Sequence, residues 1–110
     1  FTRFEYIFVA REKNKVIGAI LAIKTVKDEI YIENIIISPK WQHQGIEKRL
    51  YETLLAYSGN VPVLAIVNTT NEESIHLLKE LGFKGIKKVK NFLGVDTSTE
   101  SFLMCREKKE

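Results

Sequence analysis

The residues best suited to chemistry lie near the middle of the chain, in the stretch "ISPKWQHQGIEKRL" at positions 37–50. Gly45 follows a group of amides and bases, and apolar residues recur at helical spacing from Ile46 onward. At a helix N-terminus the unpaired backbone N–H groups and the dipole both attract an anion, so this loop is a candidate phosphate site. A plainer alternative stays open, in which Gly45 only opens a helix after a strand that Pro39 ends. Glu47 bears on that choice, because its carboxylate favours an empty helix N-terminus and repels a bound phosphate.

Three other residues have side chains capable of proton or thiol chemistry. His43 lies in the loop and belongs to the residue type that titrates near neutrality. His76 falls on the outer face of a predicted helix, and we expect it at the surface. Cys105 alternates with Phe102 and Met104 in a predicted strand, which favours a packed and inert thiol. The sequence contains no predicted metal site.

Hydrophobic periodicity predicts an α/β domain whose elements follow the order β-β-β-α-β-α-β-β on one mixed sheet. The strands are "FEYIFVARE", "VIGAILAIKTV", "IYIENIIIS", "VPVLAIV", "FKGIKKVKNF" and "ESFLMCRE". The helices start at Ile46 and near Thr70, where Thr70 and Glu73 have the spacing of a capping box. The continuous apolar run of "VPVLAIV" favours an interior strand covered on both faces. Because a helix joins them, we expect the strands at Ile30–Ile37 and Val61–Val67 to run parallel.

Composition is that of an ordinary globular domain. The chain has 110 residues, 45% of them hydrophobic and 28% charged, which predicts one domain spanning residues 1–110. The net charge of +3 suits an anionic cofactor and is too small to indicate a nucleic-acid partner. The lysines of "KGIKKVK" alternate with apolar residues as in a half-exposed strand, without an aromatic platform for bases. Cys105 is the single cysteine, which excludes an internal disulfide, and no apolar run reaches membrane-spanning length. These features predict a cytoplasmic protein with no membrane or nucleic-acid partner.

Three segments, "IIISPKWQHQGIEKRL", "NEESIHLLKELGF" and the terminal "NF…ESFLM", occur in this order along the chain. Together they resemble the GNAT superfamily of acetyl-coenzyme A-dependent N-acetyltransferases. The first is similar to the family pattern V-x-P-x-x-(R/Q)-x-x-G-x-(G/A), and the second to N-x-x-A-x-x-L-Y-x-x-L-G-F. The matching positions are Ile37, Pro39, Gln42, Gly45 and Leu50 in the first segment, and Asn71, Leu77, Leu81, Gly82 and Phe83 in the second. Agreement in both order and spacing is much more specific than any single short motif. The resemblance implies an acyl-CoA N-acyltransferase fold in which the two parallel strands splay apart at their C-terminal ends.

The resemblance also implies a co-substrate, acetyl-coenzyme A, and an acceptor that is a primary amine of a small molecule or protein. Backbone amides around Gln42 to Glu47 would hold the pyrophosphate, with added side-chain contacts from Gln42 and Lys48. The pantetheine arm would pair along the third strand like an added strand. His43 would contact the backbone or a phosphate rather than act in catalysis. Glu33 is the candidate general base, and its alternative is a solvated or ion-paired strand residue. Asn71 would contact the cofactor or begin the second helix as a turn-former. The implied cofactor-binding residues are Ile35, Ile37, Gln42, His43, Gln44, Gly45, Ile46, Glu47, Lys48 and Asn71.

The chain departs from the family pattern in three places. Glu47 replaces a glycine or alanine, and we expect it to point outward while Lys40, Lys48 and Arg49 supply compensating charge. Leu78 replaces a tyrosine that often protonates the departing thiolate, which leaves that role vacant. Few residues precede the first strand, so one wall of the acceptor pocket is expected to be missing, to lie outside this chain or to come from the partner in a homodimer. These departures keep an alternative open, a non-catalytic domain that binds coenzyme A or another protein.

Overall fold

The computed structural model describes residues 6–90 and 100–107, and it contains each predicted element within those ranges. The ends of two predicted strands, at residues 4–5 and 91–92, lie outside the described residues. One short 3₁₀ turn, Pro39–Trp41, precedes the first helix and was not predicted. The elements in chain order are β1 (Tyr6–Glu12), β2 (Lys15–Lys24), β3 (Ile30–Ile37), α1 (Ile46–Ser58), β4 (Val63–Asn68), α2 (Glu72–Glu80), β5 (Lys84–Lys90) and β6 (Glu100–Arg106).

The six strands form one mixed sheet in the order β1-β2-β3-β4-β6-β5. β3 and β4 are parallel neighbours, as predicted, and the other adjacent pairs are antiparallel. The parallel ladder joins only Ile30–Ile32 to residues 63–65, although β3 continues to Ile37 and β4 to Asn68. Beyond that ladder the two strands are no longer partners, so a wedge opens between their carboxyl ends. The predicted splay is therefore present.

The core lies on one face of the sheet, beneath both helices. Leu54 of α1 and Leu78 of α2 are fully buried and share a single cluster with Ile20 and Val63 of the strands. On the opposite face the described residues include no covering helix. Ile66 on that face is 37% exposed, so the prediction that β4 is covered on both faces is wrong within the described part of the chain. The apolar run of β4 instead reflects a strand with one face in the core and one open face.

The N-terminus of α2 differs from the predicted capping box. Asn71 is the N-cap, and its side chain accepts a hydrogen bond from the Ser74 backbone N–H at 3.1 Å. Thr70 donates its hydroxyl and its backbone N–H to Asn68 Oδ1, at 2.6 and 2.9 Å. That side-chain turn at the end of β4 engages Thr70, so the helix begins one residue later than the capping-box spacing indicated.

Candidate functional site

A cleft of about 510 Å³ opens at the carboxyl end of β3, where β3 has separated from β4, and it is lined by β3, the loop that follows it and both helices. Both strands point the same way, so the loops that follow them meet at one edge of the sheet. One wall is the loop at residues 41–45 with the first turn of α1, and the other is α2 from its N-cap Asn71 to its last residue, Glu80. Two helix N-termini thus face one cavity, a geometry that concentrates backbone N–H donors.

Most of the predicted cofactor residues line this cleft, and three of the predicted residues do not. Gln44 and Ile46 face a neighbouring cavity of about 440 Å³ between β1 and α1, because the turn at Gly45 directs them to the other side of the loop. Glu33 lies outside the cleft lining as well. The predicted residues on the cleft wall are Ile35, Ile37, Gln42, His43, Gly45, Glu47, Lys48 and Asn71.

The loop presents a run of unpaired backbone donors. Within the described chain, the N–H groups of residues 43–48 have no protein acceptor, whereas Gln42 N–H donates to the Pro39 carbonyl at 3.4 Å and Arg49 N–H to the Gly45 carbonyl at 3.2 Å. Gly45 makes this possible, since its φ of 81° lies in the left-handed region. The side chain of Gln42 also braces the loop by donating to the Ile37 carbonyl at 3.4 Å. Six consecutive amides are therefore available to an anion.

Glu47 points into the cleft, which corrects the prediction that it faces water. Its Oε1 accepts a hydrogen bond from the Ser74 hydroxyl at 3.2 Å, and its side chain is only partly exposed. The first turn of α1 faces the wedge, and α2 supplies the opposite wall at that point, so a side chain at position 47 meets Ser74. The expected compensating bases, Lys40, Lys48 and Arg49, are all exposed.

His43 contacts a carboxylate rather than the backbone or an empty anion site. Its Nδ1 lies 3.0 Å from Glu73 Oε1, and both side chains are 71% exposed. His43 adopts a φ of 64°, an unusual conformation for a residue with a side chain. His76 is exposed and lies 3.8 Å from Glu80, as expected for a surface histidine.

Glu33 occupies a bulge at the narrow end of the wedge. Ile32 pairs with Ala22 and Asn34 with Leu21, so Glu33 has no partner on β2. It also directly follows the last pair of the parallel ladder. A bulge of this kind redirects a side chain next to a site. Glu33 is exposed. The neighbouring Tyr31 hydroxyl has a raised pKa, because Tyr31 is partly buried and, to a smaller extent, because Glu33 is charged.

Neither Leu78 nor Tyr51 provides a proton donor on the cleft wall. Leu78 is 1% exposed and packs in the core. Tyr51 is 5% exposed and is not part of the lining. Burial, and then the charge of Glu47, raises the pKa of the Tyr51 hydroxyl far above its usual value. Cys105 is buried, as predicted, and burial raises the pKa of its thiol.

Apart from Asn71, sequence reasoning missed the α2 side of the cleft. Glu73, His76, Leu77 and Glu80 all line it, and their spacing places them on one face of α2. Their spacing on one helix face could have identified these residues from the sequence, because the two parallel strands place that face of α2 next to the loop. Trp41 and Ser74 also belong to the wall.

Among the described residues, no cluster of histidine, cysteine or carboxylate side chains has a geometry that would hold a metal ion. Neither described helix is long and apolar enough to span a bilayer.

The splayed parallel strands and the donor loop agree with a comparison of known families, in which the acetyltransferase (GNAT) family matches residues 1–83. The chain belongs to the GNAT family. The Escherichia coli ribosomal-protein-S18-alanine N-acetyltransferase superposes with a TM-score of 0.82 at 21% identity, covering 96% of this chain and 71% of that one. A Bacillus anthracis protein, assigned as a streptothricin acetyltransferase and solved with acetyl coenzyme A, gives 0.81 at 19% identity, covering 99% and 65%. The Bacillus cereus IAA acetyltransferase gives 0.80 at 17% identity, covering 92% and 76%.

These similarities establish the fold of the chain. Its aligned length is 65% of the Bacillus anthracis protein and 76% of the Bacillus cereus one. No curated protein sequence matches the chain significantly. The six-stranded mixed sheet with two helices is the GNAT acyl-CoA N-acyltransferase fold, as the sequence motifs implied.

Proposed function

We propose that this GNAT domain binds acetyl-coenzyme A in the wedge and transfers the acetyl group to a primary amine. The observation that carries the proposal is the run of backbone N–H groups at residues 43–48 that have no acceptor in the described chain. A pyrophosphate needs several converging donors, and a glycine-containing turn before a helix supplies them. Lys48 lies on the same wall and adds a positive charge.

The pantetheine arm and thioester of acetyl-coenzyme A have a complementary place along β3. Past Ile32, the edge of β3 that faces β4 has no strand partner among the described residues, so its backbone groups are open to the amides of a pantetheine arm. Ile35 and Ile37 line the cleft there and provide apolar contact. This route leads the thioester from the loop toward the narrow end of the wedge, where Glu33 lies.

The reaction in this proposal is attack of an amine nitrogen on the thioester carbonyl carbon. A C–N bond forms, the C–S bond of the resulting tetrahedral adduct breaks, and the nitrogen loses one proton. Glu33 takes that proton directly or through a water molecule. Leu78 has no proton to give, so the departing thiolate leaves as the anion or takes its proton from water.

A second function, binding of coenzyme A or of another protein without turnover, is favoured by two observations. Glu47 places a carboxylate in the donor cleft, and Leu78 fills the position of a proton donor with a buried apolar side chain. The two functions differ in whether acetyl-coenzyme A is consumed. Release of free thiol in the presence of an amine library separates them, with Glu33→Gln expected to lower turnover while leaving donor affinity unchanged.

The primary experiment is titration of the protein with acetyl-coenzyme A, followed by NMR and by calorimetry. Backbone N–H resonances of residues 42–48 should shift more than those of residues 84–90 in the lysine-rich strand β5. Larger shifts in β5, or no shifts at millimolar ligand, would refute the donor site.

The single buried cysteine is compatible with a reducing compartment, and we propose a cytoplasmic location on that basis.

A further inference from the structure

Two side-chain contacts cross the mouth of the cleft and join the loop wall to the α2 wall. His43 meets Glu73 at 3.0 Å, and Glu47 meets Ser74 at 3.2 Å. The partners are 30 and 27 residues apart in sequence, so these are tertiary contacts rather than local ones. We refer to the His43–Glu73 contact as the latch.

The latch engages the His43 ring, which an incoming phosphate would otherwise contact. His43 lies among the unpaired amides of the loop, and its ring nitrogen already has an acidic partner from α2. The charges around it are unbalanced, since Glu47, Glu73 and Glu80 line the cleft and Lys48 is the sole lysine or arginine on its wall within the described residues. A phosphate that enters the loop must therefore displace Glu73 from His43 or accept a carboxylate beside it.

We propose that Glu73 is an internal competitor for the phosphate site, an autoinhibitory contact that holds the loop to α2 until a polyanionic ligand displaces it. This inference rests on the proposed donor site. In the empty protein the latch keeps His43 in its left-handed conformation and facing α2. In the bound protein His43 is released and becomes available to the ligand.

Exposure of the pair sets the size of the effect. Both side chains are 71% exposed, and contacts of this kind change an equilibrium by at most about fivefold. Glu73→Gln removes the competing charge and keeps the shape of the side chain. We expect it to tighten acetyl-coenzyme A binding about two- to fivefold, measured by calorimetry in a buffer of low ionic strength.

Two matched variants separate the latch from general electrostatics. Glu72→Gln removes the same charge from the preceding residue of α2, which does not line the cleft. Glu80→Gln removes a carboxylate from the same cleft wall that does not contact His43. The latch predicts a larger gain for Glu73→Gln than for either control. Equal gains for Glu73→Gln and Glu80→Gln would overturn it in favour of simple charge repulsion.

A second readout needs no ligand. The ring ¹⁵N resonances of His43 should shift in Glu73→Gln and stay in place in Glu72→Gln, because only the first variant changes the partner of the ring. An unchanged His43 ring in Glu73→Gln would overturn the latch, whatever happens to binding.

Inorganic pyrophosphate serves as a probe that is independent of acetyl transfer. If it binds Glu73→Gln more tightly than the unmodified protein while acetyl-coenzyme A binds neither, the latch stands and the proposed function falls. If neither probe binds either protein, both are refuted.

Discussion

Glu47→Ala tests the electrostatics of the cleft most directly, because Glu47 is a carboxylate within the same turn as the unpaired loop amides. With a separation of about 6 Å and an effective dielectric constant of about 60, one pair of like charges costs about 1 kcal/mol. Removing that repulsion should tighten coenzyme A binding about fivefold. The gain should grow as salt is lowered, because the screening length increases from about 10 Å at 0.1 M to about 30 Å at 0.01 M.

The same substitution should destabilise the free protein. It removes an acid from the positive end of α1, worth about 0.3–1 kcal/mol, and the hydrogen bond from Ser74, worth about 0.5–1.5 kcal/mol. The higher helix propensity of alanine offsets a few tenths of a kcal/mol. We therefore expect a net loss of about 1 kcal/mol in the free energy of unfolding, which chemical denaturation measures.

Opposite signs for stability and affinity are the expected signature of Glu47→Ala. Glu47→Gln keeps an acceptor for Ser74 and removes the charge, so it should retain the gain in affinity at a smaller cost in stability. Glu52→Ala removes an exposed carboxylate from the same helix away from the cleft and should leave affinity nearly unchanged. Weaker coenzyme A binding in Glu47→Ala would refute the reasoning, since the carboxylate would then have to contact the ligand or orient Lys48.

Three further predictions follow from the backbone and the core. Gly45→Ala should cost about 1 kcal/mol in thermal unfolding because φ is 81°, although the added Cβ would have no heavy atom within 4 Å among the described residues beyond its chain neighbours; an unchanged melting temperature would contradict this strain. Gly18→Ala should cost about 1–3 kcal/mol, since the new Cβ would lie 3.0 Å from Ile37 Cδ1, and calorimetry should also detect weaker acetyl-coenzyme A binding as Ile37 moves toward the cleft. The pKa of Tyr51 is raised by burial, so the native state keeps a proton that the unfolded state loses above pH 10, and stability should fall as pH rises beyond 10. Tyr51→Phe should lower that slope by up to about 1.4 kcal/mol per pH unit in denaturant titrations, while the part due to the Tyr31 hydroxyl, whose pKa is also raised by burial, should remain.

The strands and helices were predictable because each has a strong hydrophobic period. The parallel pairing of β3 with β4 followed from the helix between them, and the structure confirms it. The bulge at Glu33 also left a trace in the sequence. Core-facing positions in β3 run Ile30, Ile32 and then Ile35, so the two-residue alternation shifts phase at Glu33, but the apolar Ile36 hides the shift.

Other features of the site depend on contacts that a local pattern does not contain. Thr70 and Asn71 are both good N-cap residues, and the choice is made by Asn68, which engages Thr70 at the end of β4. The direction of Glu47 depends on Ser74, which lies on the opposite wall of the wedge and 27 residues away. Such contacts exist only after the two parallel strands bring the helix N-termini together.

The departures at Glu47 and Leu78 differ in kind, and that difference decides what this chain can retain. The donors at residues 43–48 belong to the backbone, so they persist whatever side chain stands at position 47. The carboxylate there acts through a partly screened charge and lowers affinity without removing the site. Leu78 is different, because a proton donor is a specific atom, and the described cleft wall has no tyrosine to replace it. Donor binding is thus the more robust half of the proposed function, and acetyl transfer depends on whether water can protonate the departing thiolate.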